Sequence, residues 1–303
     1  MKDIHGILPA MVTPFTSDDR LDEKGFRWIC ENSLRAGVHG FIVNGSLGEF
    51  PSLRPAERRR IIELAVEVAS GKQIPVMVGV GSASTNEAVD RAKEASELGA
   101  DCLLVLPPFY YQVGEDALFS HFKTVAESVD VPVVMYNFPG TTKVNLSPAL
   151  VARLADTGRI VGIKNSVDSL IHLRELVRLT AGKKFDVLSG MEDYLLPGLL
   201  LGTKGTASGF SNFIPQVLVE IYESFMKGDV RRSSDLFNKI VVPLKALAPP
   251  PEPISALKIG VKLVSGITTS HVRLPLVDAP PGTEKMMGVI LKENGLIPVR
   301  ASP

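Results

Sequence analysis

Cysteine is scarce in this chain: 303 residues hold only Cys30 and Cys102. Two thiols so far apart in sequence make no disulfide framework, so a reducing cytoplasm is the expected home. Net charge is missing too. Lysine plus arginine number 33 and aspartate plus glutamate 33, a formal charge of zero. That argues against nucleic acid as a partner, which would favour a basic surface. No apolar run approaches the roughly 18 to 20 residues that span a bilayer. The N-terminal MKDIHGILPAMVTPF has no long apolar core ending in a small-residue cleavage site, so neither membrane nor export is expected. The five histidines, His5, His39, His121, His172 and His271, share no ligand spacing. A metal site of clustered His and carboxylate is therefore not expected, and His121 and His172 fall in helix-like segments as packing or surface residues.

What is present is an alternation. Short apolar runs recur at 7–12, 40–45, 75–80, 101–107, 132–137, 159–165, 185–190 and 204–209. Between them lie segments of helical period, such as 55–71, 85–100 and 147–158. In the second, Ala88, Ala92, Ala95 and Leu98 share one face. Asp22, Ser84 and Ser147 stand where N-caps belong, and Gly71, Gly99 and Gly158 stand near helix ends. The runs do not alternate apolar with polar, as expected of parallel strands covered on both faces. Eight such βα units predict an α/β fold, a (β/α)8 TIM barrel, in preference to an open sheet of five to seven strands. The open dinucleotide-binding sheet is further disfavoured because no G-x-G-x-x-G follows the first run. From Pro215 onward the pattern is helical without strand runs, so a barrel over 1–225 followed by a C-terminal helical extension over 226–303 is expected. The PPPEP stretch at 249–253 reads as a stiff turn between two of those helices.

The run RIVGIKNS at 159–166 ends on Lys164, where a buried strand should stop. At the C-terminal mouth of a barrel this is the place where active sites are built. A snorkelling or ion-paired lysine is the plain reading. The sharper one is a Schiff-base nucleophile, because an amine attacks a ketone as the free base and a dry pocket favours that form. The fifth run ends in VVMYNF and puts Tyr136 one unit away, as a proton relay or a packed rim residue. The second run enters NGSLGEF, where Gly45 and Gly48 flank Ser46 and Leu47. There, backbone N–H groups and the Ser46 hydroxyl suit an anion, and a tight turn accounts for the same residues. The fourth run ends in the aromatic PPFYYQV, another candidate rim.

In order, the chain carries G-x-x-P-A-x-x-T-P-F at Gly6 to Phe15, G-S-x-G-E at Gly45 to Glu49, P-F-Y-Y at Pro108 to Tyr111, Y-N-x-P at Tyr136 to Pro139 and G-I-K-N-S at Gly162 to Ser166. This set closely resembles the dihydrodipicolinate synthase / N-acetylneuraminate lyase superfamily of class I pyruvate aldolases. The resemblance implies a TIM barrel with a helical extension and no cofactor beyond a covalent pyruvate Schiff base on Lys164. It further implies Tyr136 as the proton relay and Ser46 as the hydroxyl that joins the relay and helps hold the pyruvate carboxylate. Tyr110 would complete a neighbouring subunit's site, within a homotetramer built as a dimer of dimers. YNFPGTTKV, IVGIKNSVDSLIHLRE and the segment from Val187 to Val217 look most like 2-keto-3-deoxy sugar-acid aldolases. There Thr141, Gly190, Glu192, Ala207 and Ser208 would contact substrate, or Glu192 and Asp193 would only cap the next helix.

Three departures bear on the substrate. Leu47 replaces a frequent threonine, Asn165 follows the lysine where an acid is commoner, and Thr141 and Lys143 stand where lysine-pathway synthases carry Arg and Gly. The expected activity is cleavage of a keto-deoxy sugar acid to pyruvate and a hydroxyaldehyde. The synthase that condenses pyruvate with aspartate semialdehyde is the alternative, with Lys143 swinging in for the missing arginine. A catalytically silent keto-acid-binding regulatory barrel is a rival of another class.

Overall fold

The computed structural model describes residues 2–248 and 253–297; the first four positions of the proline-rich turn lie outside the described residues. Strands β1 (Gly6–Pro9), β2 (Phe41–Val43), β3 (Val76–Gly79), β4 (Cys102–Val105), β5 (Val133–Asn137), β6 (Ile160–Asn165), β7 (Asp186–Ser189) and β8 (Gly205–Ser208) form one parallel sheet in the order β1-β8-β7-β6-β5-β4-β3-β2. The sheet closes through an isolated bridge between Ala10 and Ile42, where the Met11 N–H donates to the Ile42 carbonyl at 2.8 Å. This is a (β/α)8 barrel.

All eight apolar runs became strands, and the lack of alternation has a direct cause. Leu8, Ile42, Leu104, Val134 and Leu188 point inward and fill the barrel. Their neighbours Ile7, Val43, Val105, Val133 and Val187 point outward against the helices. Each strand is thus covered on both faces, as parallel strands require.

The ring of helices is α1 (Glu23–Arg35), α2 (Pro55–Ala69), α3 (Thr85–Glu97), α4 (Glu115–Glu127), the single turn α5 (Pro139–Thr142), α6 (Pro148–Ala155), α7 (Leu170–Thr180), α8 (Leu195–Leu201) and α9 (Pro215–Met226). Asp22 caps α1 by accepting the Gly25 N–H at 2.9 Å, and Ser147 caps α6 by accepting that of Leu150 at 3.1 Å. Ser84 occupies the N-cap position of α3 but makes no side-chain cap bond; its own N–H goes to the Ser82 hydroxyl instead. Gly71, Gly99 and Gly158 take φ of 72°, 92° and 74°, the left-handed conformation in which glycine ends a helix most easily.

Among the described residues four further helices follow: α10 (Val230–Leu236), α11 (Val242–Lys245), α12 (Pro253–Ser265) and α13 (Thr283–Glu293), with a π-helical turn over Phe237–Val241. This extension is clamped to the barrel by a buried ion pair. Lys258 of α12 is 1% exposed, donates to Glu49 beyond β2 and to the His271 carbonyl at 2.7 Å, and lies 4.3 Å from the Phe15 ring centre. The second Glu49 oxygen accepts the Arg273 N–H at 2.9 Å. Burial pulls the Lys258 ammonium down to about 8, against the opposing pull of the Glu49 carboxylate. Removing one partner of such a pair leaves a buried charge uncompensated, at a cost of about 3–5 kcal/mol. Lys258→Met is therefore expected to lose that much stability in urea unfolding, and the double variant with Glu49→Met to regain part of it. A single variant as stable as the wild type would show that the clamp holds nothing.

Candidate active site

The barrel mouth contains a cavity of ≈ 270 Å³ lined from β2, β5, β6, β7, β8 and the extension. Lys164 rises into it from β6. Its register partner on β5 is Tyr136, and the lysine Nζ lies 3.9 Å from the centre of that ring. Lys164 is 3% exposed, yet among the described residues no carboxylate lies within ion-pair distance of its Nζ. That is the opposite of Lys258, where burial goes with an acid partner. A buried unpaired cation is costly, so Lys164 sits where a structural lysine would not be kept.

A bulge in β6 is what aims the lysine inward. Val133 pairs with Ile160 and Val134 with Gly162, so Val161 is an extra residue. Val161 packs inside the barrel, while Ile160 and Ile163 pack outside. In an unbroken strand an inward Val161 would turn Lys164 outward, since side chains alternate and a one-residue slip exchanges the faces. The bulge resets the phase. Gly162 is needed for the close pairing beside it, since a Cβ there would lie 2.7 Å from the Asp186 carbonyl.

Around the lysine, Gly190 contributes absence. A Cβ on it would stand 3.2 Å from the Lys164 Cε and 2.1 Å from the Ser166 hydroxyl, so glycine makes room for both side chains. Ser166, not singled out from sequence as a site residue, lines the cavity and donates to the Gly190 carbonyl at 3.2 Å. Asn137 and Asn165 lock the two strand ends together. The Asn137 amide donates to Asn165 at 3.1 Å and to Asn145 at 3.0 Å, and its carbonyl oxygen accepts the Leu146 N–H at 3.0 Å. The unusual asparagine after the lysine is thus a buried tie between neighbouring strands.

The loop after β2 opens with a 3₁₀ turn over Ser46–Gly48, bracketed by Asn44 and Glu49 in the left-handed region. Ser46 and Leu47 open that turn, so their N–H groups have no partner inside it, and both residues line the cavity. Gly45 and Gly48 do not line it. Gly48 lies close against the segment that follows β1, where a Cβ would come 3.1 Å from the Met11 carbonyl. Gly79 lets the loop pack down, since a Cβ there would meet the Asn44 carbonyl at 2.2 Å. Among the described residues, neither the Ser46 hydroxyl nor the Tyr136 phenol is taken up in a hydrogen bond. The Tyr136 ring stacks on Phe138 with centres 5.7 Å apart.

Thr141 and Ala207 line the cavity, and Lys143 does not: it is exposed and its Nζ donates to the Gly140 carbonyl at 2.9 Å. Ser208 is fully buried and its hydroxyl donates to Glu192 at 3.2 Å. The same Glu192 oxygen accepts the N–H groups of Gly209 at 2.5 Å and Phe210 at 3.2 Å. Glu192 lines the cavity while holding the turn after β8, a cap that acts across strands and not on its own following helix. Tyr110 does not reach the cavity of its own chain; it is 84% exposed and meets Tyr111 edge to face at 5.2 Å. His121 is buried between the Thr85 hydroxyl and the Leu106 carbonyl, and His172 bonds the Leu146 carbonyl. Burial lowers the pKa of both rings. No helix among the described residues is long and apolar enough to cross a membrane.

A parallel barrel with an unpaired lysine and a phenol at its mouth defines a class of imine-forming barrel enzymes. The model of the dihydrodipicolinate synthetase family matches residues 3–294, and the chain belongs to that family. It is 36% identical over 292 residues to the 4-hydroxy-tetrahydrodipicolinate synthase of Methanothrix thermoacetophila, covering 96% of this chain and 97% of the relative. It is 34% identical over 303 residues to the probable 2-dehydro-3-deoxy-D-pentonate aldolase YjhH of Escherichia coli K12, covering 99% and 100%. The crystal structure of YagE from E. coli K12, a prophage protein of the dihydrodipicolinic acid synthase family in complex with pyruvate, superposes with a TM-score of 0.90 at 34% identity, covering 97% of this chain and 99% of that one. The chain is accordingly a carbon–carbon lyase of the class I, Schiff-base type that handles small keto acids without a separate cofactor.

Proposed function

We propose that this enzyme cleaves a 2-keto-3-deoxy sugar acid, gluconate- or pentonate-like, to pyruvate and a hydroxyaldehyde. Lys164 is the nucleophile: its amine adds to the C2 carbonyl and water leaves as the imine forms. Tyr136, having given its own proton to the water that leaves, takes the proton of the C4 hydroxyl as the C3–C4 bond breaks. The bonding pair passes into the imine, giving an enamine and the free aldehyde. Return of the proton to C3 and hydrolysis then release pyruvate and restore the amine. Ser46 and the N–H groups of Ser46 and Leu47 receive the pyruvate carboxylate.

The observation that carries this reading is the unpaired buried Lys164 beside Tyr136, in a cavity where Thr141 occupies the acceptor end. A guanidinium fork would suit a carboxylated aldehyde; threonine offers a single hydroxyl, and Lys143 points elsewhere. The name of YjhH, a probable 2-dehydro-3-deoxy-D-pentonate aldolase, points the same way. The second reading, condensation of pyruvate with aspartate semialdehyde, is favoured by the name that the Methanothrix relative carries. Pyruvate release from a panel of keto-deoxy acids decides between them. The expected result is a kcat/KM for at least one such acid above that for pyruvate plus aspartate semialdehyde; the reverse order for every acid tried would overturn the aldolase reading.

We also infer that Tyr110 acts across a subunit interface in a dimer of dimers, since an exposed tyrosine pair at the barrel rim suits a partner surface. Tyr110→Phe should weaken catalysis about 10-fold or more. Mixing Tyr110→Phe with Lys164→Ala subunits should return activity, because a hybrid dimer assembles one site with both groups intact. A mixture no more active than its Tyr110→Phe subunits alone would count against action in trans, and a Tyr110→Phe enzyme as active as the wild type would place Tyr110 outside the reaction.

A further inference from the structure

Lys245 belongs to no sequence motif, yet it lines the cavity that holds Lys164. It comes from the extension. Residues 230–245 run as one helical path in which Pro243 has no N–H for the carbonyl four residues earlier. The π-helical turn over Phe237–Val241 lies immediately upstream. Such a turn accommodates an extra residue, and one residue rotates the following face by about 100° in a helix of 3.6 residues per turn. The final turn, α11, then presents Lys245 to the turn after β7.

There the Lys245 ammonium lies 3.7 Å from one Glu192 oxygen and 3.6 Å from one Asp193 oxygen. Both distances exceed a hydrogen bond, so the three groups are neighbours with their bonding capacity toward one another unspent. Glu192 is not free to swing, because its other oxygen holds Ser208, Gly209 and Phe210. The cation is therefore kept beside a fixed carboxylate, 23% exposed and directed at the cavity wall.

We propose that Lys245 is a specificity residue whose ammonium donates to hydroxyls on the acceptor half of the substrate, and that with Glu192 and Asp193 it selects uncharged hydroxyaldehydes over carboxylated ones. The proposal rests on the aldolase reading above and extends it to the acceptor end. A sugar hydroxyl satisfies the two that line the cavity, since it accepts from the Lys245 ammonium and donates to the Glu192 carboxylate, while Asp193 adds its charge from behind them. An added carboxylate meets two negative groups and one positive, and is repelled.

The test uses the full-length enzyme. Lys245→Met keeps the apolar stem and removes the charge. For a cleaved keto-deoxy acid its KM should rise about 10- to 100-fold while kcat changes less than threefold. Borohydride trapping with pyruvate alone should keep its wild-type rate, and Lys245→Arg should recover most of the affinity. In the condensing direction, Asp193→Asn should raise the preference for a carboxylated aldehyde over glyceraldehyde about 10-fold. A KM within twofold of wild type, or a loss shared equally by kcat and by pyruvate trapping, would overturn the proposal. If the wild type cleaves no keto-deoxy acid, the aldolase reading falls, and the aldehyde preferences of Lys245→Met and Asp193→Asn in condensation still decide the role of Lys245.

Discussion

Lys164→Ala is expected to lower turnover by roughly 10⁶-fold, the order lost when a covalent nucleophile is removed, while leaving the stability of the barrel almost unchanged. Both halves follow from the same feature. The lysine is buried, and among the described residues it has no acid partner, so its removal leaves no buried carboxylate without a cation. Its nearest groups, the Tyr136 ring, Ser166 and Gly190, keep their own contacts. Lys258 supplies the contrast within one molecule: equally buried, it is paired with Glu49, and there substitution is expected to cost stability. The two lysines therefore separate by experiment, one in activity and the other in unfolding. For Lys164 the direct measurement is intact mass after borohydride reduction with pyruvate. The wild type should gain one reduced pyruvate adduct, localised to Lys164 by peptide mapping. A Lys164→Ala protein that gained the same mass at the same rate would place the imine on another lysine.

The barrel was legible from sequence because its strands are covered on both faces and its helices carry conventional stop signals. Eight unalternating apolar runs with helical segments between them leave few architectures open, and glycines such as Gly99 and Gly158 mark helix ends with a positive φ. The position of Lys164 was legible for the same reason. Its direction was not. Which way a side chain faces depends on the pairing register, and the bulge at Val161 appears only when β5 and β6 are laid side by side. The glycine inside RIVGIKN was the one local sign of it, since glycine within a strand often marks a bulge or a close backbone approach. Glu192 shows a second limit. Its acid side chain in a GMED turn suggested either sugar contact or a helix cap, and the structure has it holding the turn after β8, a partner 16 to 18 residues away. Lys245 was invisible because its approach depends on a π-helical turn and on the docking of the extension, neither of which has a spacing signature. The clamp between Glu49 and Lys258 spans 209 positions, a separation at which no local pattern survives.

Tyr136→Phe is the second large effect, with kcat expected to fall roughly 10² to 10⁴-fold, the usual worth of a placed acid–base group. The substitution removes one oxygen and leaves the ring, so the stacking on Phe138 and the contact with the Lys164 Nζ remain. Packing is thus held constant while proton transfer is lost. Binding of pyruvate should change little, because the receiver proposed for its carboxylate is the turn at Ser46 and Leu47 and not the phenol. The loss should divide unevenly between steps. Imine formation, which can borrow water as a proton carrier, should slow less than C3–C4 cleavage, where the C4 hydroxyl must surrender its proton within a cavity of ≈ 270 Å³. Single-turnover measurements of adduct formation and aldehyde release separate the two. A Tyr136→Phe enzyme that cleaves at the wild-type rate would remove the tyrosine from the relay and leave its stacking as its only role; one that forms no adduct at all would show the phenol acting at imine formation instead of at bond cleavage.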